Sequence, residues 1–154
     1  MSQPIPLPTA LLITYGRVCR QAGRYAEALA VFEQVLQSPG PVPLLGYLEK
    51  GVTCLLAKQY GEARRTFEAA EQAVTPLPAE PSQRLADLLY VRWGLALTLT
   101  LEGRYAEAHR HWWKLRTTYP DPAGLLHPGA RCQLAQCLLG YFRAAHEAWA
   151  LLDT

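Results

Sequence analysis

The placement of proline constrains this chain more than any other feature. All twelve prolines fall in four clusters, at positions 4, 6 and 8, at 39, 41 and 43, at 76, 78 and 81, and at 120, 122 and 128. Proline lacks the backbone donor and clashes with the preceding helical turn, so it is expelled from helix interiors. The clusters therefore read as linkers. They leave four proline-free intervals, 9–38, 44–75, 82–119 and 129–154, each long enough for two helices.

Inside the intervals the apolar spacing is helical. Ala28, Leu29, Val31, Phe32, Val35 and Leu36 recur at three- and four-residue steps, as do Ala63, Phe67, Ala70 and Val74, with Glu, Gln, Arg and Thr between them. No segment keeps a period of two for long, so no strands are expected and the fold class is all-α.

A repeated hexapeptide marks the middle of the intervals. Gly-Arg-Tyr-Ala-Glu-Ala stands at 23–28 and again, letter for letter, at 103–108. Lys58-Gln59-Tyr60-Gly61-Glu62-Ala63 keeps its Tyr, Glu and last Ala, and Gly140-Tyr141-Phe142-Arg143-Ala144-Ala145 keeps the Gly, an aromatic and the last Ala. Gly23 and Gly103 suit the left-handed conformation that ends a helix, and the tyrosine after them is placed to pack across the turn. Glu27, Glu62 and Glu107 then fall in the first turn of the next helix, where its dipole favours negative charge. Ala28, Ala63, Ala108 and Ala145 supply small residues where two helices cross closely. The hexapeptide is a helix-hairpin corner.

This arrangement resembles the tetratricopeptide repeat family, whose second helix carries an alanine, a large aromatic four residues later and an apolar residue three after that. The chain supplies Ala28/Phe32/Val35, Ala63/Phe67/Ala70, Ala108/Trp112/Leu115 and Ala145/Trp149/Leu152. The glycine that the family places twelve residues before the alanine is matched by Gly16 and Gly51, whereas Ala96 and Gln133 hold that place in the third and fourth units. The resemblance implies one domain spanning 1–154, a right-handed superhelical array of about four hairpins at roughly 9–38, 44–75, 82–119 and 125–154. The four alanines stand 35, 45 and 37 residues apart, against about 34 in the family. The extra residues are expected in the proline clusters and in an early start of the third unit near Ser82, a candidate N-cap after Pro81.

Several function classes lose support. The formal charge of +2 is too small to draw nucleic acid or an anionic membrane by bulk electrostatics, so neither is an expected partner. Residues 1–10 lack the charged start and apolar run of a secretory signal, and the longest strongly apolar stretch, 93–101, falls well short of a bilayer span. A soluble, cytoplasmic protein is expected. Three Ser, three Asp and no Asn, mostly at turns and termini, give no nucleophile with a base, and no phosphate-cradling glycine loop occurs, so no catalytic residue is assigned. His109 and His111 lie two apart on a helix and Cys132 and Cys137 five apart, both poor pairs for one ion, and His127 and His146 join them in no motif; no metal or other cofactor is expected. Cys19 and Cys54 occupy the same place in successive units, as packing thiols would.

What remains is a binding surface. Arg17, Arg20 and Arg24 form a positive stripe, read either as a solvated face or as an anchor for an acidic group on a partner. The family's concave groove maps onto Ile13, Arg17 and Arg20, then Leu45, Leu48, Val52 and Leu55, then Tyr90, Trp93, Leu97 and Leu101, then Ala130, Leu134 and Cys137. The lining is apolar. Independently of the family, residues 44–56 and 85–101 are apolar nearly all round, and a helix of that kind needs cover on every side. A partner's amphipathic helix, a second copy, or the chain's own N-terminus or a tightened superhelix would each supply it.

The resemblance implies a non-enzymatic protein-interaction scaffold that binds an amphipathic helix or apolar peptide on Leu48, Val52, Leu55, Tyr90, Trp93 and Leu97, with Arg17 and Arg20 meeting an acidic end. Acyl or aromatic small-molecule binding in the same groove and homo-oligomerisation are the alternatives. The family's carboxylate clamp is excluded, because its positions carry Ile13, Arg17, Glu49, Tyr90 and Gly94 and the chain has no Asn. At the far end Ala145, Trp149 and Leu152 remain apolar where an array ordinarily closes with a polar face, so either this face meets another chain, as in a homodimer, or the natural protein continues beyond Thr154.

Overall fold

The computed structural model describes residues 7–38, 44–74 and 81–118. These form six helices and no strand: α1 (Leu7–Gln21), α2 (Tyr25–Gln37), α3 (Leu44–Leu56), α4 (Tyr60–Val74), α5 (Pro81–Leu101) and α6 (Tyr105–Thr118). The chain is all-α, as expected, and its described helices pair as the hairpins α1–α2, α3–α4 and α5–α6, with Pro8 and Pro81 in the first turns of α1 and α5 and not in linkers. The fourth expected unit, 125–154, lies outside the described residues.

All three corners use one device. The N–H groups of Gly23, Lys58 and Gly103 bond back to the carbonyls of Arg20, Leu55 and Thr100, and those of Arg24, Gln59 and Arg104 to the carbonyls of Cys19, Cys54 and Leu99. This paired closure satisfies the orphan carbonyls at a helix end and requires a positive φ at its pivot. Gly23 and Gly103 take φ +80°, while Lys58 takes 62° without glycine's freedom. The hexapeptide therefore turns the chain as anticipated. Cys19 and Cys54 are both buried free thiols whose carbonyls accept the closing bond, a role Leu99 takes in the third corner.

The irregular spacing of the units comes from the expected early start of the third unit and from a longer α4, and not from the linkers. The linkers between α2 and α3 and between α4 and α5 are both six residues long. The ten extra residues between the second and third alanines all lie in helices: α5 has 21 residues against 13 in α3, and α4 has 15 against 13 in α2. Pro81 opens α5, where its missing N–H is one that no helix pairs, so Ser82 stands inside the first turn and is not the cap.

Successive helices pack against one another, and α3 also touches α1 and α5, so the first helices of the hairpins lie side by side. Ala28, Phe32, Ala63, Phe67 and Ala108 have no exposed surface, which places the small-residue and aromatic slots at the helix crossings. The glycines opposite them are fitted to the rings. A Cβ on Gly16 would stand 2.5 Å from the Phe32 ring, and Cβ atoms on Gly51 and Gly94 would stand 2.5 and 2.4 Å from the Phe67 ring. Phe67 is thus held by glycines of two different hairpins. Thr53, Thr98 and Thr100 are buried and satisfied by hydroxyl bonds of 2.7, 2.7 and 2.9 Å to the carbonyls one turn back. Thr100 also accepts the Trp112 indole N–H at 2.9 Å, fastening α6 to α5.

Candidate docking surface

The positive stripe on α1 resolves into an internal ionic node. Glu49, the acid in the otherwise apolar face of α3, has no exposed surface, and a buried carboxylate needs partners. Arg17 donates from Nε to its Oε1 at 2.8 Å, and Arg20, itself 4% exposed, donates from Nη1 to its Oε2. The acidic group expected from a partner is supplied here by the chain itself. Helices α1 and α3 are joined through the node. Arg24, the third member of the stripe, is exposed and pairs with Glu27 at 3.8 Å.

Lys50, the next residue along α3, reaches the other layer. Its Nζ lies 2.8 Å from Glu33 on α2 and 3.5 Å from Glu62 on α4. Burial works against the ammonium, but the hydrogen bond and charge of Glu33, with help from Glu62, outweigh it and hold the amine above its ordinary value. One helical segment therefore carries opposite charges to opposite sides, which fixes the rotation of α3 about its axis.

The apolar groove is closed. Leu48, Val52, Leu55, Tyr90 and Leu97 are all buried and belong to one core cluster with Ile13, Leu45 and Leu101, and Trp93 packs against it half-buried. Of the covers the sequence left open for these residues, the chain itself supplies the one observed, so they do not form an open docking face. The reason is geometric: α3 is surrounded by α1, α2, α4 and α5, so a helix apolar all round finds all its cover among its own neighbours. The proposed oligomer face of Ala145, Trp149 and Leu152 lies outside the described residues.

The exposed apolar surface lies elsewhere. Leu11, Tyr15 and Val18 on α1 are 62, 53 and 56% exposed. Their steps of four and three residues put them on one helical stripe, away from Leu12 and Ile13, which face the core. Every exposed position of α1 whose side chain is described, Pro8, Leu11, Thr14, Tyr15, Val18 and Gln21, is uncharged. The Thr14 hydroxyl is already bonded to the Ala10 carbonyl at 3.0 Å. The sequence reading missed this stripe because Leu11, Leu12 and Ile13 are consecutive, and spacing alone does not say which of them turns outward.

On α6, exposed Trp113 sits with His109, Arg110 and Lys114 over a shallow depression at the last described helix. Among the described residues no three His, Cys, Asp or Glu side chains converge on a metal site, and no helix is long and apolar enough to cross a membrane.

The fold and surface define the chain as a helical-repeat array of the all-α class. No family model, curated protein or solved structure matches it.

Proposed function

We propose that the chain is a non-enzymatic protein-interaction scaffold of tetratricopeptide-like hairpins, acting in the cytoplasm, whose docking surface is the outer face of α1. The observation that carries this reading is the contrast between two apolar surfaces. The groove residues are consumed by the core, while Leu11, Tyr15 and Val18 stay more than half exposed on one line. The largest exposed apolar patch of a monomer is often functional, which supports this stripe as a contact face. An amphipathic helix laid along the stripe replaces the groove-bound peptide, and the small-molecule alternative loses its enclosure.

The test is site-specific photocrosslinking. A photoreactive amino acid at position 15, in cells of the protein's own source, should give a discrete adduct that is absent when the same group replaces Gln72 on the exposed face of α4. Equal or absent adducts at the two positions would exclude α1 as a docking face.

A further inference from the structure

We propose that the outer face of α6 around Trp113 is a second contact surface, and that its occupant is an acidic segment of a partner protein. An apolar side chain of that segment covers the indole, and its carboxylates meet Arg110 and Lys114. This surface lies on a different hairpin from the α1 stripe, and neither depends on the other.

Comparison of the three second helices sets the face apart. Counted from the alanines at 28, 63 and 108, the second, fifth and sixth following places hold Ala30, Glu33 and Gln34 on α2, Arg65, Glu68 and Ala69 on α4, and Arg110, Trp113 and Lys114 on α6. At about 3.6 residues per turn these places share one face. On α2 and α4 they are exposed or, at Glu33, half-exposed, although α3 and α5 pack against those helices. A hairpin stacked on a second helix therefore leaves this face open. The first two units fill it with small or polar residues, whereas α6 places there a tryptophan that is 59% exposed. Tryptophan and arginine are the residues enriched at the energetic centres of protein interfaces.

Charge names the partner. Among the described residues neither Arg110 nor Lys114 has an acidic partner, whereas Arg64, Arg65 and Arg104 are paired with Glu102, Glu62 and Glu107. Glu107 is the only acid in the sequence of α6, and Arg104 already holds it at 2.8 Å. Arg110 and Lys114 stand about 6 Å apart along the helix axis, with Trp113 between them in height. A segment bearing carboxylates is drawn to both cations, and a basic one is repelled.

The size of the patch decides against other anions. Arg110 and Lys114, with His109 beside them, make a short track. Nucleic-acid binders that rely on charge make on the order of 6–10 phosphate contacts, and recognition of anionic membranes takes clusters of about 4–8 basic residues. One ring with two fixed cations matches a few residues of an acidic peptide instead.

Fluorescence anisotropy of dye-labelled probes against the full chain tests this. The probes are a short helical peptide of Glu, Leu and Phe, the same peptide with Gln for every Glu, and a single-stranded oligouridylate. Co-sedimentation with vesicles of phosphatidylcholine and phosphatidylserine covers the membrane. The acidic peptide should bind in the micromolar range, more weakly as salt rises, and better than the other three. Trp113→Ala should weaken it at least about tenfold with an unchanged helical signal. Arg110→Gln/Lys114→Gln should weaken it about three- to tenfold, and Arg65→Glu, which removes the same net charge from the matching face of α4, by less than about twofold. No saturable binding of the acidic peptide, equal binding of its Gln form, or equal losses in Arg65→Glu and the α6 variants overturns the surface. Tighter binding of the oligouridylate or the vesicles, lost with Trp113→Ala, overturns an acidic protein segment as its occupant.

Discussion

Replacing Glu49 by Gln isolates the ionic node, since the two residues share shape and helix propensity and differ in charge. In the native structure one carboxylate without exposed surface holds two guanidinium groups, of which Arg20 is nearly as buried and Arg17 is 15% exposed at its side chain. Removing one partner of a buried pair costs about 3–5 kcal/mol, because the remaining charge stays desolvated. The partial exposure of Arg17 argues for the lower end, about 3 kcal/mol, a large share of the roughly 5–15 kcal/mol that holds a domain folded. Urea unfolding followed at 222 nm, with a slope of about 1–3 kcal/mol/M for a small protein, should show a midpoint about 1–3 M lower. Substituting the whole node, Arg17→Met with Arg20→Met and Glu49→Leu, removes the stranded charges and should recover to within about 1 kcal/mol of the wild type or exceed it. A cost under about 1 kcal/mol for Glu49→Gln, or a triple variant no better than the single one, would refute the desolvation argument.

Three further outcomes follow from the geometry. Gly94→Ala should destabilise by about 1–3 kcal/mol, because its Cβ would stand 2.4 Å from the Phe67 ring, and a double-mutant cycle with Phe67→Leu should show strong non-additivity; additive losses would mean the two do not touch. Lys58→Gly should raise the thermal midpoint by a few degrees, since a left-handed non-glycine residue costs about 1–2 kcal/mol, partly offset by the freer unfolded chain; an unchanged or lower midpoint would show no strain there. Burial, with smaller contributions from Glu62 and Glu33 against the opposing Lys50, pushes the Cys54 thiol up to about 11. An unfolded thiol ionises near 8.5, so the stability it contributes is whole below about pH 8.5 and falls by at most about 1.4 kcal/mol per pH unit until the native thiol ionises. Lys50, also raised, adds a contribution that is flat until its unfolded value and lost above it. Urea midpoints from pH 8 to 11 should therefore fall more steeply in the wild type than in Cys54→Ala, and parallel profiles would exclude the thiol as the cause.

The hairpins were legible because their causes are local. Proline clusters, the helical period and a glycine-tyrosine-glutamate corner each act within a few residues, and the corner hydrogen bonds repeat accordingly. The position of the extra residues was legible in part: the early start of α5 was expected near Ser82, but Pro81 itself reads equally as the end of a linker or the first residue of a helix, and the linkers were wrongly expected to hold the rest. The site was legible only in part. Glu49 and Lys50 stood out as charges in an apolar segment, and Arg17 and Arg20 as a stripe, yet their pairing joins residues 29 to 32 apart and depends on how α1 lies against α3. The groove failed for the same reason: whether Leu48 or Val52 faces solvent is decided by neighbouring helices, and spacing within α3 is silent about them.

Phe67 couples the second hairpin to the third. In a stack of repeats each unit contributes its own stability plus a term for the interface with its neighbour. Here the ring of the second hairpin fills the space left by a glycine in its own first helix and by another in the third hairpin. Neither α3 nor α5 can withdraw without stripping the same side chain of contacts. The interface term is in effect written into the interior of a unit, so opening either hairpin exposes the ring that also packs the other.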